Sequence, residues 1–412
     1  NIFDSSKLAN ILTTLNLGAS KIDIGKLTYE WLEENNQYTN ELDFLQKKIG
    51  FLKTSPEKRQ IPKDVVLYGF GRIGRLCARE LIKQAGKGEQ LRLKGVILRK
   101  IDAESLKKRC ALLRQDSVHG SFSSSIYIDE SELFIIINGQ KIHFFDEKTK
   151  NNLQEYGIND ALLIDNTGVF KDYNGLKQHL KIKGINKIIL TAPGKGIPNI
   201  VYGVNHNKIK LNENQIISAA SCTTNAIAPI LKVINEHKII LKGHIETIHA
   251  YTNDQNLLDN MHTKNRRGRS AAINMVITST GAGKAVSKVI PELENKLTAN
   301  AIRVPTPNGS LAIINLDLQH KSSVNEINEL IRQAALEGPL VNQIKYSMNT
   351  ELVSNDIIGN GGASIFDCPS TIVSKNGKNV ILYIWYDNEF GYTKQVIRLA
   401  KYISNVRRLH YY

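Results

Sequence analysis

Residues 64–84, DVVLYGFGRIGRLCARELIKQ, contain the clearest indication of the fold. An apolar run of strand type ends at Tyr68, three glycines follow in the spacing G-x-G-x-x-G, and a helix with one apolar face comes next. Glycines at this spacing permit a tight turn and let a pyrophosphate approach the first N–H groups of the helix. In this strand–turn–helix context the pattern predicts a dinucleotide site made of Gly69, Phe70, Gly71, Arg72, Ile73 and Gly74.

Strand-like runs continue along the chain on both sides of Cys222. Before it they alternate with helical or polar stretches, at 93–99, 161–168, 187–190 and 216–221. This alternation predicts an α/β fold with a doubly wound parallel sheet of Rossmann type. After it the β-rich runs are longer, at 243–253, 301–307, 311–319 and 379–391, and predict an α+β domain with a mainly antiparallel sheet.

The first sixty residues have a different spacing of apolar residues from the segments just described. Their apolar positions recur at alternating four- and three-residue spacing, at Tyr38, Leu42, Leu45, Ile49 and Leu52, which predicts an amphipathic helix. This apolar stripe could contact a partner or another copy of the chain, or it could pack on the protein's own body. We expect it to pack on the protein's own body. The segment TSPEKRQIPKD, residues 54–64, reads as a linker. The predicted division is therefore a helical N-terminal extension with linker (1–60), a dinucleotide-binding domain (61–221, together with the C-terminal helix 388–412) and a catalytic domain (222–387).

The bulk composition narrows the class of protein. The 412 residues are 42% hydrophobic and 23% charged, and no apolar run is long enough to span a membrane, so we expect a cytoplasmic globular protein. The net charge of +15 comes without a long basic run, which makes nucleic acid an improbable main partner and favours anionic small molecules. The four cysteines are far apart, so we expect reduced thiols and no metal site.

The second predicted strand does not end in the Asp or Glu that a dinucleotide site of this type usually carries. Arg99 and Lys100 stand where a carboxylate would bind the hydroxyls of the cofactor's adenosine ribose, and Asp102 follows slightly later. Arg99 is therefore a predicted cofactor residue that suits a ribose 2′-phosphate, unless Asp102 reaches the ribose instead. The cofactor is predicted to be NAD or NADP.

Cys222 is the predicted nucleophile. Residues 214–234, NQIISAASCTTNAIAPILKVI, read as a strand, a small-residue turn and a helix that begins near the cysteine. A thiol at a helix N-terminus has its thiolate stabilised by the helix dipole, so the sequence predicts a lowered pKa. Pro229 leaves open where regular helix begins.

Nine segments appear in the order typical of one enzyme family: YGFGRIGRL, DSVHG, NTGVF, SCTTNAIAP, HAYTNDQ, RRGRSAA, TSTGAGKAV, IRVPTPN and YDNEFGYT. Over residues 64 to about 403 the chain resembles phosphorylating glyceraldehyde-3-phosphate dehydrogenase. The resemblance implies oxidation of glyceraldehyde 3-phosphate to 1,3-bisphosphoglycerate through a thioester on the cysteine, in glycolysis or gluconeogenesis. It also implies a homotetramer.

The resemblance further implies roles for individual residues. His249 would act as the base for Cys222. The phosphate of the aldehyde substrate would bind Thr252, Arg267 and Arg303. The attacking inorganic phosphate would bind Ser221, Thr223, Thr280 and Gly281. The nicotinamide would be oriented and covered by Asn388 and Tyr392.

The sequence departs from the family's pattern at two places, and two alternative functions remain open. Ala226 stands where family members often carry a second cysteine, and Asn260 and Met261 replace a Leu-Pro pair common in NAD-specific members. One rival is erythrose-4-phosphate dehydrogenase, which would share the thiol–imidazole pair. The other is a catalytically silent binding protein on the same scaffold, with RNA as its ligand.

Overall fold

The computed structural model describes residues 2–18, 20–53, 62–84, 90–210, 213–406 and 409–411. The α-helices in these ranges are α1 Ile2–Thr14, α2 Ile24–Glu34, α3 Glu41–Ile49, α4 Arg72–Gln84, α5 Ala103–Arg114, α6 Tyr173–Lys177, α7 Cys222–Lys238, α8 Ala282–Ser287, α9 Val324–Leu336 and α10 Phe390–Ile403. The strands are β1 Ser20–Ile22, β2 Lys63–Tyr68, β3 Leu91–Ile97, β4 Gln115–Asp116, β5 Gly120–Ser121, β6 Ile126–Asp129, β7 Phe134–Ile137, β8 Gln140–Phe145, β9 Ala161–Asp165, β10 Ile185–Leu190, β11 Ile216–Ser218, β12 Ile240–Ala250, β13 Val276–Thr278, β14 Leu297–Val304, β15 Ser310–Leu318, β16 Ile344–Ser347, β17 Ser364–Asp367, β18 Ile372–Val373, β19 Asn379–Tyr386 and β20 Leu409–Tyr411. None of the helices in the described ranges is long and apolar enough to cross a membrane.

The first large sheet is built around β2. Its order is β11-β10-β9-β2-β3-β8-β7-β6, parallel from β11 to β8, with β7 and β6 as an antiparallel edge. Neighbouring residues of β2 belong to different hydrophobic clusters, Val65 and Leu67 to one and Val66 to the other, so both faces of the sheet are covered. The predicted Rossmann-type sheet is confirmed.

The order of this sheet fixes where a ligand can bind. The strand β2 lies between β3 and β9, so the chain crosses to opposite sides of β2 and leaves a crevice at its carboxyl end. Gly69 follows β2 at this edge, and its N–H donates to Ile97 O at 2.9 Å. Asn166 follows β9, and its N–H donates to Tyr68 O at 2.8 Å. The glycine-rich turn therefore lies at the switch point of the sheet.

The second large sheet is mainly antiparallel, as predicted. Its order is β13-β14-β12-β15-β19-β17-β16, with β18 on the side of β19, and only the β12–β14 and β16–β17 pairs run parallel. Buried and less buried residues alternate along β15 and β19. One face thus packs on a cluster to which α7, α8 and α9 contribute.

The N-terminal extension has a small hydrophobic core of its own. The fully buried side chains of this core are Leu8, Leu27, Phe44, Leu45, Ile49 and Leu52. The amphipathic helix predicted from Tyr38 to Leu52 is shorter, since α3 spans Glu41–Ile49, and Leu42 is exposed. The stripe packs on α1, α2 and the chain's C-terminal strand, so the expectation that it packs on the protein itself rather than on a partner is confirmed. Residues 54–61 of the predicted linker lie outside the described residues, and Lys63 already begins β2.

The C-terminal helix packs against α4 but ends earlier than the predicted range. It stops at Ile403, because Asn405 adopts a left-handed φ of 54° that ends an α-helix. Within the remaining residues, Leu409–Tyr411 form β20, which pairs in parallel with β1 of the extension. We propose the predicted domain division with this change: helix α10 belongs with 61–221, and β20 belongs with the extension.

Candidate active site

The glycine-rich turn has the shape that a pyrophosphate requires. Gly69 has a φ of 92°, which favours glycine. A Cβ at Gly74 would lie 2.4 Å from Gly69 O, so a side chain there would push the helix away from the turn. A Cβ at Gly71 would meet nothing within 4 Å and would fill open space at the start of α4. The turn thus leaves a cradle at the first N–H groups of α4, which fits the diphosphate of a dinucleotide.

Two side chains of this turn are engaged elsewhere. Phe70 is buried, and its ring packs edge-on against Phe144 at 5.7 Å. The Arg72 guanidinium donates to Asp116 at 3.0 and 3.1 Å and also to Glu389. The backbone N–H groups of this turn, rather than these side chains, are therefore available to a cofactor.

Cys222 is the first residue of α7. Ser221 caps this helix by accepting the Thr224 N–H at 3.0 Å, and the turn before it places Ala220 at a left-handed φ of 57°. The helix continues through Pro229, which settles the question the sequence left open. Cys222 is half-buried and contacts both of the large hydrophobic clusters that meet here.

His249 faces this thiol. Its Nε2 lies 3.6 Å from Cys222 Sγ, and its Nδ1 lies 2.7 Å from Ala250 O. Arg303 Nη1 lies 2.7 Å from the same Nδ1, so this nitrogen has both a hydrogen-bond acceptor and a donor beside it, and Nε2 is the nitrogen that faces the thiol. The parallel register of β12 and β14 pairs His249 with Arg303, whose guanidinium also donates to Ala250 O at 2.9 Å.

Burial controls the protonation of this pair. Burial raises the pKa of the Cys222 thiol above its ordinary value, while Arg303 and hydrogen bonds from the first turn of α7 act in the opposite direction. Burial and then Arg303 lower the pKa of His249 to about 3. Both groups are therefore neutral near pH 7. The lowered thiol pKa predicted from the helix N-terminus is wrong in sign, because the sequence does not show how far the thiol is desolvated.

Two cavities meet at Cys222 and His249. One, of about 630 Å³, is lined by Arg72, Ile73, Thr252, Asn388 and Tyr392 among others. The other, of about 440 Å³, is lined by hydroxyl groups, a backbone turn and an arginine: Thr223, Thr280, Gly281 and Arg303. Ser221, Cys222 and His249 line both. The structure thus brings most of the predicted site residues around one sulfur atom.

The predicted residues at the end of the chain are held firmly in the first of these cavities. Ser310 donates to Asn388 Oδ1 at 2.8 Å, which orients the amide. The Tyr392 hydroxyl donates to Ala220 O at 2.8 Å, next to the turn that carries the cysteine. Both side chains therefore line the same cavity as Cys222.

Arg267 lies outside the two cavities and is tied to their rim. Its guanidinium donates to the Asp254 carboxylate and to the Thr278 hydroxyl, and Nη2 lies 2.9 Å from Thr278 Oγ1. Asp254 also accepts the hydroxyl of Thr252. One carboxylate thus joins two residues that were predicted to bind the same phosphate.

Several site residues were not identified from the sequence. Asp254 lies two positions after Thr252 in a motif already quoted, so its position was a usable signal. Tyr386 hydrogen-bonds to Thr223 at 3.1 Å and packs edge-on against His249, which only the strand pairing reveals. The 440 Å³ cavity is also lined by three lysines, Lys195 and, at α8, Lys284 and Lys288.

Gly69 and Arg99 lie together in a third cavity. It has a volume of about 710 Å³ and is also lined by Thr167 and Phe170, at the carboxyl ends of β2, β3 and β9. The strand β3 ends at Ile97, two residues before Arg99, so the predicted strand end was slightly too late. The predicted cofactor residues are therefore divided between this cavity and the one that contains Asn388 and Tyr392.

Comparison with known proteins gives the same result over most of the chain. Residues 63–173 match the NAD binding domain of glyceraldehyde 3-phosphate dehydrogenase, and residues 221–388 match its C-terminal domain. A glyceraldehyde-3-phosphate dehydrogenase-like protein of Pseudomonas aeruginosa is 47% identical over 98% of this chain and 88% of its own length. Glyceraldehyde-3-phosphate dehydrogenase 2 of Trichormus variabilis is 40% identical over 82% of this chain and 98% of its own. The corresponding Neurospora crassa enzyme is 39% identical over 83% and 97%. With an NAD-binding domain of this type and these relatives, the chain belongs to the glyceraldehyde-3-phosphate dehydrogenase family of oxidoreductases.

Proposed function

We propose that the protein oxidises glyceraldehyde 3-phosphate to 1,3-bisphosphoglycerate, with inorganic phosphate as second substrate and NAD or NADP as electron acceptor. The reaction would serve glycolysis or gluconeogenesis. The observation that carries this proposal is the pair formed by Cys222 Sγ and His249 Nε2 at 3.6 Å, placed between two cavities with groups that bind anions. Such a pair suits covalent catalysis on a carbonyl carbon.

The first step is addition of the thiol to the aldehyde. Cys222 Sγ forms a bond to the carbonyl carbon while its proton passes to His249 Nε2, and His249 passes this proton on to the aldehyde oxygen, which becomes the hydroxyl of a hemithioacetal. Because both groups are neutral beforehand, proton transfer accompanies carbon–sulfur bond formation. The step needs the tautomer of His249 with its proton on Nδ1, and Ala250 O lies 2.7 Å from this nitrogen as a hydrogen-bond acceptor.

The acyl group then remains on the cysteine. His249 accepts the hydroxyl proton of the hemithioacetal as the carbon is oxidised to a thioester. The nicotinamide dinucleotide, when bound, supplies the hydride acceptor for this oxidation. Phosphate attacks the thioester carbon, the carbon–sulfur bond breaks, and the sulfur recovers its proton from His249.

Two anion sites would serve the two phosphates. Thr252, Arg267 and Arg303 would bind the phosphate of the aldehyde, and Asp254 would hold the first two in place. Ser221, Thr223, Thr280 and Gly281 would bind the attacking phosphate. The lysines of that cavity add positive charge, which strengthens phosphate binding.

The cofactor would extend across the crevice of the first sheet. The backbone N–H groups of Gly71 to Gly74 would hold the pyrophosphate, and Asn388 and Tyr392 would orient and cover the nicotinamide. The open space at Gly71 and the lining of the cavity next to Cys222 support this placement.

We also propose a homotetramer. Large apolar side chains stay exposed in and after the loop that follows Asp254, namely Leu257, Leu258, Met261, Ile273, Met275 and Ile277. An exposed apolar group of this size favours burial against another copy of the chain in a closed symmetric assembly.

The decisive experiment measures turnover with each aldehyde and each co-substrate. We expect oxidation of glyceraldehyde 3-phosphate to depend on inorganic phosphate and to exceed oxidation of erythrose 4-phosphate. A higher kcat/KM with erythrose 4-phosphate than with glyceraldehyde 3-phosphate would identify erythrose 4-phosphate as the substrate. Absence of turnover with either aldehyde would support the silent binding protein.

A further inference from the structure

We propose that the 710 Å³ cavity at the carboxyl ends of β2 and β3 binds an adenosine ribose carrying a 2′-phosphate, with Arg99 as the residue that selects it. The protein would then prefer NADP to NAD. This inference rests on the proposed function only in taking the cofactor to be a nicotinamide dinucleotide. The two are tested separately below.

The cavity is where the adenosine half of a dinucleotide belongs. It adjoins Gly69, so a pyrophosphate on the first turn of α4 would lead directly into it. Phe170 and Tyr68 supply aromatic rings, and Ile97 and Leu98 supply apolar surface, as a purine and its ribose require.

The carboxylate that would bind a free 2′-hydroxyl is engaged elsewhere. Asp102 is the first acid after β3, and it caps α5 by accepting the Ser105 N–H at 2.8 Å. Ser105 Oγ in turn accepts the Asp102 N–H at 3.0 Å, which completes a capping box. Asp102 does not line the cavity. The alternative in which this residue reaches the ribose would therefore cost α5 its cap.

The other carboxylate of the cavity is also occupied. Glu147 Oε1 accepts the Tyr68 hydroxyl at 2.7 Å, and its Oε2 accepts from Lys150. Hydrogen bonds from Lys150 and then Tyr68 lower the pKa of Glu147, so it stays ionised within this pair. Its oxygens have partners, and a ribose hydroxyl would have to displace one of them.

The cavity instead presents positive charge. Arg99, Lys150 and Lys181 line it, against the single carboxylate of Glu147. Arg99 is exposed and, within the described residues, forms neither a hydrogen bond nor an ion pair, so its guanidinium is available as a two-pronged donor to phosphate. Charge-assisted bonds of this kind correspond to about ten- to a hundredfold in affinity.

The test uses fragments of the cofactor, so that it does not depend on turnover. Calorimetry with the full chain at fixed ionic strength would compare adenosine 2′,5′-bisphosphate with adenosine 3′,5′-bisphosphate, which has the same charge, and with adenosine 5′-monophosphate. We expect the 2′,5′-bisphosphate to bind at least about tenfold more tightly than either. Arg99→Ala should remove this preference and leave binding of the monophosphate nearly unchanged.

Lys100→Ala is the matched control. Lys100 is the exposed cation next in the chain, and it does not line the cavity, so its loss removes the same charge without removing the donor. We expect the preference for the 2′,5′-bisphosphate to survive. The proposal is overturned if the wild type binds the three fragments equally, or if both variants lower the preference to the same extent.

The outcomes separate this inference from the proposed function. A preference that depends on Arg99, without oxidation of glyceraldehyde 3-phosphate, would support the cofactor assignment and refute the proposed reaction. Phosphate-dependent oxidation with NAD, in a protein that shows no preference for the 2′-phosphate, would support the reaction and refute the role of Arg99.

Discussion

The reactivity of single residues here depends on burial and on register between strands. Local pattern predicted Cys222 as the nucleophile, because it lies where a helix begins, and the family resemblance implied His249 as its base. It could not predict that Arg303 pairs with His249 across two strands far apart in the chain, or that desolvation of the thiol outweighs the helix N-terminus. Both depend on how the strands pair and pack in the folded protein.

Replacing the nucleophile tests the covalent mechanism. We expect Cys222→Ser to lower aldehyde oxidation by at least about a thousandfold with little change in stability, because a neutral hydroxyl is a far weaker nucleophile than a thiolate. Steady-state rates and thermal unfolding would measure both. Cys368→Ser is the control, since Cys368 is half-buried and bonds to the Tyr346 hydroxyl, away from the site. A serine variant with more than about a tenth of the wild-type rate would exclude a thioester.

The charge of Arg303 should set the pH dependence of the pair. Its positive charge lowers the pKa of the Cys222 thiol and the pKa of His249, so Arg303→Gln should raise both. Since iodoacetamide reacts with the thiolate, the midpoint of Cys222 alkylation should move to higher pH in this variant. Arg303→Lys keeps the charge and should move the midpoint less. An unchanged or lower midpoint in Arg303→Gln would show that Arg303 does not act through its charge.

For the helices and strands, the prediction was accurate where a short motif and a regular spacing of apolar residues occur in the same segment. The unit β2–α4 begins and ends within one residue of its expected bounds, because glycines fix the turn and the apolar face fixes the helix. The helices α1 and α2 were not predicted, because their apolar residues pack on other parts of the extension and do not form a stripe with long regular spacing. The strand β20 was read as helix for a related reason: its partner β1 lies near the opposite end of the chain.

Two glycines of the turn should separate folding from cofactor binding. Gly71→Ala places a Cβ in open space, so we expect normal stability but weakened dinucleotide binding, because the methyl group enters the cradle. Gly74→Ala places a Cβ 2.4 Å from Gly69 O, so we expect it to lower the free energy of unfolding by roughly 1–3 kcal/mol. Denaturant titration and dinucleotide binding would measure the two effects. Equal loss of stability in both variants would contradict this reading.

At the scale of the whole molecule, the extension has a hydrophobic cluster of its own, distinct from the clusters that cover the two large sheets. Both large sheets and the clusters that cover them were predictable in kind, because each domain has its own periodicity. Packing of the extension's apolar stripe on the chain itself was expected, but the elements that cover it were not, because α1, α2 and Tyr411 share no pattern with the stripe. That ring packs into the extension's core, and its hydroxyl donates to Glu30.

Removing the extension should leave the chemistry intact. A chain without residues 1–60 keeps every residue assigned to the site, so we expect kcat/KM close to that of the full chain. A folded deletion protein with about a hundredfold lower kcat/KM, about 2.7 kcal/mol of barrier, would show that the extension contributes to catalysis. Deleting residues 409–412 instead should raise hydrogen exchange in β1 and α2 and leave the first sheet protected, since Tyr411 and β20 complete only the extension.

The pairing of β1 with β20 also bears on the order in which the protein is made. Translation produces residues 20–22 well before residues 409–411. While the residues between them leave the ribosome, β1 lacks this partner strand and Glu30 lacks the tyrosine hydroxyl that donates to it. Domains usually fold in the order of synthesis. Here we expect the extension to reach its final structure only after the residues of both large sheets have been made.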